Sequence, residues 1–254
     1  MLPNFLIIGA AKAGTTSLYR YLAQHPQIYM SQIKEPNFFA LEGQEVDFRG
    51  PDDELYIRRF SVTDLQAYKA LFKDATDEVA LGEASALYLY SSEAPLRLCE
   101  YVPEVKLIVI LRHPVDRAYS AFLHLLRDKR EPLSDFACAL RAEGERVRRN
   151  WEHIWHYRGM GFYAAQLERY YRHFRREQIR VYPYDALQME PLTVIADIFH
   201  FLGVDETFQP DISVRYNEPG IPQAEQPHVC PEVRQQLLAD YRDDILKLQN
   251  LLER

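Results

Sequence analysis

The apolar run Phe5, Leu6, Ile7, Ile8 passes without a break into Gly9-Ala10-Ala11-Lys12-Ala13-Gly14-Thr15-Thr16-Ser17-Leu18, and this junction constrains the fold more than any other stretch of the chain. A buried strand that ends in glycine and turns directly into a helix aims successive backbone N–H groups, and the positive end of the helix dipole, at one point outside the sheet. An anion is the expected occupant. The nucleoside triphosphatase version of such a loop carries Gly, four residues, then Gly-Lys-Ser/Thr, with the lysine on the outer phosphates and the hydroxyl on magnesium. Here Thr15 stands where that lysine belongs, and the lysine has moved inside the loop as Lys12.

The rest of the chain repeats the strand-then-helix pattern. Apolar, β-branched runs bounded by turn residues occur at NFLIIG, VALGEA, KLIVILR and IRVYPY, with a weaker one at QIYMS, and these are the expected strands. Amphipathic stretches of helical period separate them: Thr16 to Gln24, Asp64 to Phe72, Glu93 to Tyr101, Val115 to Arg127, Gly161 to Phe174, and Pro191 to Leu202 before Gly203. A last helix is expected from Pro231 to Leu252. Leu41 to Arg59 reads as a polar, irregular loop, and Glu131 to Arg158 as helical but ambiguous. Alternation of this kind predicts an α/β protein, a single domain over residues 1–254, with a central, mainly parallel sheet flanked by helices in a P-loop-containing nucleotide-binding fold.

Bulk properties exclude several classes. With 254 residues, 47% hydrophobic, 26% charged and a net charge of -7, the chain is long enough for a full core and carries no overall basicity that would point to nucleic acid. Residues Arg112 to Arg180 hold fifteen Lys/Arg against nine Asp/Glu, a bias that can draw an anionic ligand, although RAEGERVRR and RYYRHFRRE read as solvated helix faces. No transmembrane segment or signal sequence is recognisable, so a cytoplasmic location is expected. Cys99, Cys138 and Cys230 lack metal-ligand or CxxC spacing and are expected to be buried thiols.

The run KLIVILRHP ends in Arg112 and His113, where a magnesium-dependent ATPase requires an acidic ligand. Open α/β sheets bind ligands beyond the carboxyl ends of their strands, and a guanidinium fork there suits a phosphate. Ser120 follows eight residues on, about two helical turns, on roughly the same face as the helix start. Arg117 between them is a weaker candidate for the phosphate and reads first as an exposed residue or a structural ion-pair partner.

Together IIGAAKAGTTSLYRYLAQHP, KEPNFF and LIVILRHPVDRAYSAF resemble the sulfotransferases that use 3'-phosphoadenosine 5'-phosphosulfate (PAPS), in the branch that includes heparan-sulfate sulfotransferases and bacterial relatives. The likeness continues in order through GFYAAQLERYYRHF, IRVYPYDAL and IADIFHFLGV. It implies transfer of a sulfuryl group to an acceptor hydroxyl, or less typically an amine, by in-line displacement without a metal, leaving 3'-phosphoadenosine 5'-phosphate (PAP). By the same resemblance, Ala13, Gly14, Thr15, Thr16 and Ser17 bind the 5'-phosphate. Lys12 neutralises the bridging oxygen as the S–O bond breaks. Arg112 and Ser120 grip the 3'-phosphate, and Arg215 and Gly220 of RYNEPGIPQ close the adenine side, although the lysine-glycine-arginine run of the heparan enzymes is missing there.

For the base that takes the acceptor proton, the resemblance nominates Glu35 in KEPNFF, with Lys34 beside it tuning the carboxylate or touching the sulfate. Phe38 and Phe39 read as core and cleft wall rather than chemistry. Glu83 in GEASALYLY is the second candidate; related carbohydrate enzymes often carry lysine at the next position, which here is Ala84. His113, His153 and His156 stay open as alternatives. The acceptor is left as a glycan, a lipid, a small molecule or an acyl chain on an acyl carrier protein, walled by residues such as Tyr88, Trp151, Trp155 and Tyr157. A P-loop kinase or NTPase and a noncatalytic nucleotide-binding scaffold are the competing readings.

Overall fold

In the computed structural model, residues 1–214 and 229–253 are described. They form five strands and twelve α-helices: β1 (Phe5–Gly9), α1 (Thr15–Leu22), β2 (Ile28–Met30), α2 (Phe38–Leu41), α3 (Asp53–Phe60), α4 (Leu65–Ala70), β3 (Ala80–Ala84), α5 (Leu87–Tyr90), α6 (Ala94–Tyr101), β4 (Lys106–Leu111), α7 (Pro114–Arg127), α8 (Phe136–Arg148), α9 (Tyr163–Tyr171), β5 (Ile179–Pro183), α10 (Tyr184–Met189), α11 (Pro191–Leu202) and α12 (Pro231–Leu252). All five expected strands and all seven expected helices are present. The expected irregular loop from Leu41 to Arg59 instead carries most of α3, and α8 occupies the ambiguous region.

The chain divides into two compact units, each built from three separate segments. The first comprises Met1–Glu45, Phe60–Leu111 and Arg169–Asn217, and it contains the whole sheet, in the order β2-β3-β1-β4-β5 with every pairing parallel. β1 is central, and Phe5, Leu6, Ile7 and Ile8 have no exposed surface, as expected of a strand covered on both faces. Gly82 on β3 pairs with Phe5, and a Cβ there would sit 2.2 Å from the Phe5 ring. Local signals set the helix ends: the Asp64 side chain accepts the Ala67 N–H at 2.8 Å to cap α4. Pro191 opens α11, and Gly203 closes it in the left-handed conformation, its N–H bonded to the Phe199 carbonyl.

The second unit comprises Val46–Arg59, Arg112–Glu168 and Glu218–Arg254. Its core joins Val115, Phe122 and Leu125 of α7 and Phe136 of α8 to Trp155, Tyr157 and, from α12, Leu237 and Tyr241. Two buried ion pairs run through it. Asp53, without exposed surface, accepts the N–H groups of Gly50 and Glu152 at 2.7 Å each and the Trp155 indole at 2.8 Å, and it pairs with Arg130. Glu131 holds the Arg146 guanidinium through both oxygens, at 2.7 and 2.8 Å, and accepts the Tyr157 hydroxyl at 2.6 Å.

These contacts correct several expectations. Arg146, in a run read as a solvated face, is buried because Glu131 compensates its charge. Arg117 is not exposed, and among the described residues it has no ion pair: it is fully buried and donates to the Tyr157 carbonyl. Tyr88, Trp155 and Tyr157, expected to wall an acceptor, have no exposed surface and are core. Cys99 and Cys138 are half-buried and Cys230 is exposed, so none is the buried thiol expected. No described helix is long and apolar enough to cross a membrane.

Candidate active site

The sheet order itself selects a place for a ligand. β1 and β4 are neighbours, yet the chain leaves β1 toward β2 on one side and leaves β4 toward β5 on the other. In parallel sheets a crevice opens beyond the carboxyl ends of strands that part in this way. The turn Ala10 to Gly14 lies there, tied to the neighbouring strand by the Ala10 N–H on the Ile110 carbonyl at 2.7 Å and closed by the Ala13 N–H on the Ala10 carbonyl at 3.1 Å.

Two residues of the turn are left-handed: Lys12, with φ of 66°, and Gly14, with φ of 86°. Such a conformation is uncommon for lysine and easy for glycine. Gly14 is also the N-cap of α1 and offers no side chain to its first turn, whose N–H groups have no acceptor within the helix by geometry alone. Thr15 and Ser17 are buried, and Thr16 and Lys12 half-buried, around that helix start. A depression lined by Ser17, Tyr21, Leu187, Gln188, Pro191 and Ile212 adjoins the helix.

Glu35 comes to the same end of the sheet. Its N–H bonds the Ala84 carbonyl at the end of β3 at 2.9 Å, and its Oε2 accepts the Ala86 N–H at 2.8 Å. The next residue along that strand end, Ser85, donates its N–H to the Ile7 carbonyl of β1 at 3.1 Å. Lys34 contacts Glu35 Oε1 at 2.5 Å, and a third of the Glu35 side chain, 33%, remains exposed. Phe38 and Phe39, expected as core, have no exposed surface.

Glu83 differs from Glu35 in exposure and in its partners. It has no exposed surface, and its oxygens accept the Tyr68 hydroxyl at 3.1 Å and the Ser85 hydroxyl at 2.9 Å. Burial pushes its carboxyl up to about 7, with the hydroxyls opposing the rise. Of the two glutamates only Glu35 reaches the surface.

Arg112 follows Leu111 directly and, with Ser120 on α7, belongs to the second unit, where both are half-buried. Of the histidine alternatives, His153 and His156 are pushed down to about 3 and about 4 by burial, so both are neutral. His113 is exposed beside Asp116 at 3.7 Å. Arg215 and Gly220 lie outside the described residues. Sequence reasoning gave no role to Ser85 or Tyr68 and read Tyr88 as an acceptor wall; Ser85 stands two residues beyond Glu83, on the same face of the strand end, whereas the tyrosines are brought in by helices.

A sulfotransferase family model matches residues 3–210. The crystal structure of a sulfotransferase from Alicyclobacillus acidocaldarius is similar with a TM-score of 0.91 and 40% sequence identity, over 100% of this chain and 97% of that one. The sulfotransferase domain from the curacin biosynthetic pathway shares the fold, with a TM-score of 0.56 at 14% identity, over 95% and 98% of the two chains. The mouse bifunctional heparan sulfate N-deacetylase/N-sulfotransferase 4 is 33% identical over 216 residues, which are 80% of this chain and 22% of that protein; the chain thus spans about a fifth of the length of such curated relatives. A phosphate-type loop with its lysine inside the turn, on a five-stranded parallel sheet matched by the family over most of its length, makes this chain a member of the sulfotransferase family.

Proposed function

We propose that the protein moves the sulfuryl group of PAPS to an acceptor hydroxyl by in-line displacement, acting as a single catalytic domain over residues 1–254, in the cytoplasm. The observation that carries this reading is the convergence of two groups on one end of the sheet: the Lys12 turn after β1, and Glu35 tied to the end of β3 by the Ala84 carbonyl and the Ala86 N–H. Proton removal from the acceptor needs an accessible base, and charge grows on the oxygen that leaves sulfur. Glu35 supplies the first and Lys12 offsets the second.

The first turn of α1, with Thr15, Thr16 and Ser17, suits the 5'-phosphate. Arg112 and Ser120 are read as the 3'-phosphate pair from the family resemblance, as are Arg215 and Gly220 for the adenine side. In this scheme the acceptor oxygen attacks sulfur as Glu35 takes its proton, the bond from sulfur to the 5'-phosphate oxygen breaks, and Lys12 and the turn stabilise the charge on the 5'-phosphate of the PAP so formed. A glycan amine or hydroxyl, as the name of the heparan sulfate relatives suggests, and a carrier-bound hydroxyacyl chain, as a pathway-derived domain suggests, are the acceptors to try first.

The test is transfer of label from [35S]PAPS to a panel of desulfated heparan oligosaccharide, p-nitrophenol and a 3-hydroxyacyl pantetheine. Label should move to at least one class and PAP should accumulate in equal amount. Consumption of ATP with no use of PAPS would instead support a kinase or NTPase. PAP binding without any transfer would support a scaffold.

A further inference from the structure

We propose that Glu83 is a positioning residue, whose buried carboxylate orients the hydroxyls of Ser85 and Tyr88 and through them holds the backbone segment 35–39 that presents Glu35. This rests on the assignment of Glu35 as the base.

A hydroxyl has one proton to give and two lone pairs with which to accept. Ser85 Oγ accepts the Asn37 N–H at 3.0 Å, and because ionised Glu83 can only accept, the contact between the same oxygen and Glu83 Oε2 at 2.9 Å is then made by the serine proton. Tyr88 repeats the arrangement: its oxygen accepts the Phe39 N–H at 3.4 Å, while its hydroxyl bonds to Glu83. Tyr68 donates to the other carboxylate oxygen. No cation is paired with Glu83 among the described residues. Its partners are hydroxyls, and two of these turn their lone pairs toward the segment after Glu35.

That segment needs holding. Glu35 has φ of 62° and Asn37 φ of 54°, a left-handed region that is unfavourable for a residue with a side chain. The Asn37 side-chain amide spans the bend by donating to the Glu35 carbonyl at 2.8 Å and lies 3.2 Å from the Ser61 hydroxyl. Glu83 sets the direction of the remaining bonds, carboxylate from hydroxyl and hydroxyl from N–H. Glutamine at this position would keep the volume and reverse the polarity: its NH2 group is a donor where the site needs acceptors. Whichever hydroxyl faces that NH2 group must accept from it and can no longer give its own proton to residue 83.

The test compares wild type, Glu83→Gln, Ser85→Ala, the double variant and Ser85→Thr. It reads amide hydrogen exchange at Asn37, PAP affinity, and kcat for [35S]PAPS on whichever panel acceptor the wild type uses. Loss of a buried hydrogen bond predicts exchange at Asn37 faster by about 10-fold or more and kcat lower by about 10- to 100-fold, with amides of β1 and PAP affinity unchanged. The double variant should be no slower than the worse single one, because both act through the same hydroxyl, and Ser85→Thr should recover most of the rate. A folded Glu83→Gln protein with Asn37 still protected, or losses that add, overturns the proposal; should that variant fail to fold, unchanged exchange and kcat in Ser85→Ala overturns it equally. Full activity of Glu35→Gln would remove the base assignment, yet exchange at Asn37 would still decide whether Glu83 holds the segment.

Discussion

Replacing Glu83 with glutamine should change how stability depends on pH, by an amount the structure sets. The carboxyl is raised from 4.5 to about 7, chiefly by burial. An unfolded chain releases this proton near pH 4.5, whereas the folded chain keeps it until about pH 7. The contribution of Glu83 to stability is therefore fully present below pH 4.5, declines across the interval and is lost above pH 7, a span worth about 3 kcal/mol. Glutamine has no proton to release. Urea unfolding of both proteins from about pH 4 to pH 8.5 should show their stability difference drifting by about 3 kcal/mol in favour of the variant as pH rises, and flat beyond the interval. The offset at any one pH reflects the hydrogen bonds of the amide; only the drift tests the burial argument. A difference constant within about 0.5 kcal/mol, or a drift of opposite sign, would refute it. Ionised Glu83 is the form that orders the Ser85 and Tyr88 hydroxyls, so positioning and stability oppose each other at this residue.

Glu35→Gln should lower kcat by about 10²- to 10⁴-fold with PAP affinity retained, measured by label transfer and calorimetry. Gly82→Ala should destabilise by several kcal/mol, seen as a drop in the urea midpoint, because a Cβ 2.2 Å from the Phe5 ring must displace a residue with no exposed surface. Asp53→Ala should cost about 3–5 kcal/mol by leaving the Arg130 charge buried and three further donors without their acceptor; limited proteolysis within residues 46–59 and 112–168 would report it.

The strands were legible because β-branched apolar runs ending in turn residues admit few other structures, and the helices Pro114–Arg127 and Pro191–Leu202 because proline marks their first residues. Asp53–Phe60 was not legible. It buries only Asp53 and Ile57, so its apolar periodicity is faint, and its place depends on Arg130 and Trp155, far away in sequence. Arg146 was misread for the same reason: a charge run looks solvated until Glu131, fifteen residues earlier, closes on it. In the candidate site, Lys12, Gly14 and Glu35 stand in short local motifs that show their positions directly. The distinction between Glu35 and Glu83 does not, because accessibility comes from packing by Tyr68, Tyr88 and Phe39.

The most direct test of the central claim is a single-turnover comparison of wild type with Lys12→Ala, alongside titration of each with PAP. If Lys12 acts on the departing oxygen, the rate of sulfuryl transfer should fall by about 10²- to 10³-fold or more while PAP binding changes little, since the charge it offsets exists only as the bond breaks. An unchanged rate of transfer from PAPS in Lys12→Ala would contradict the account.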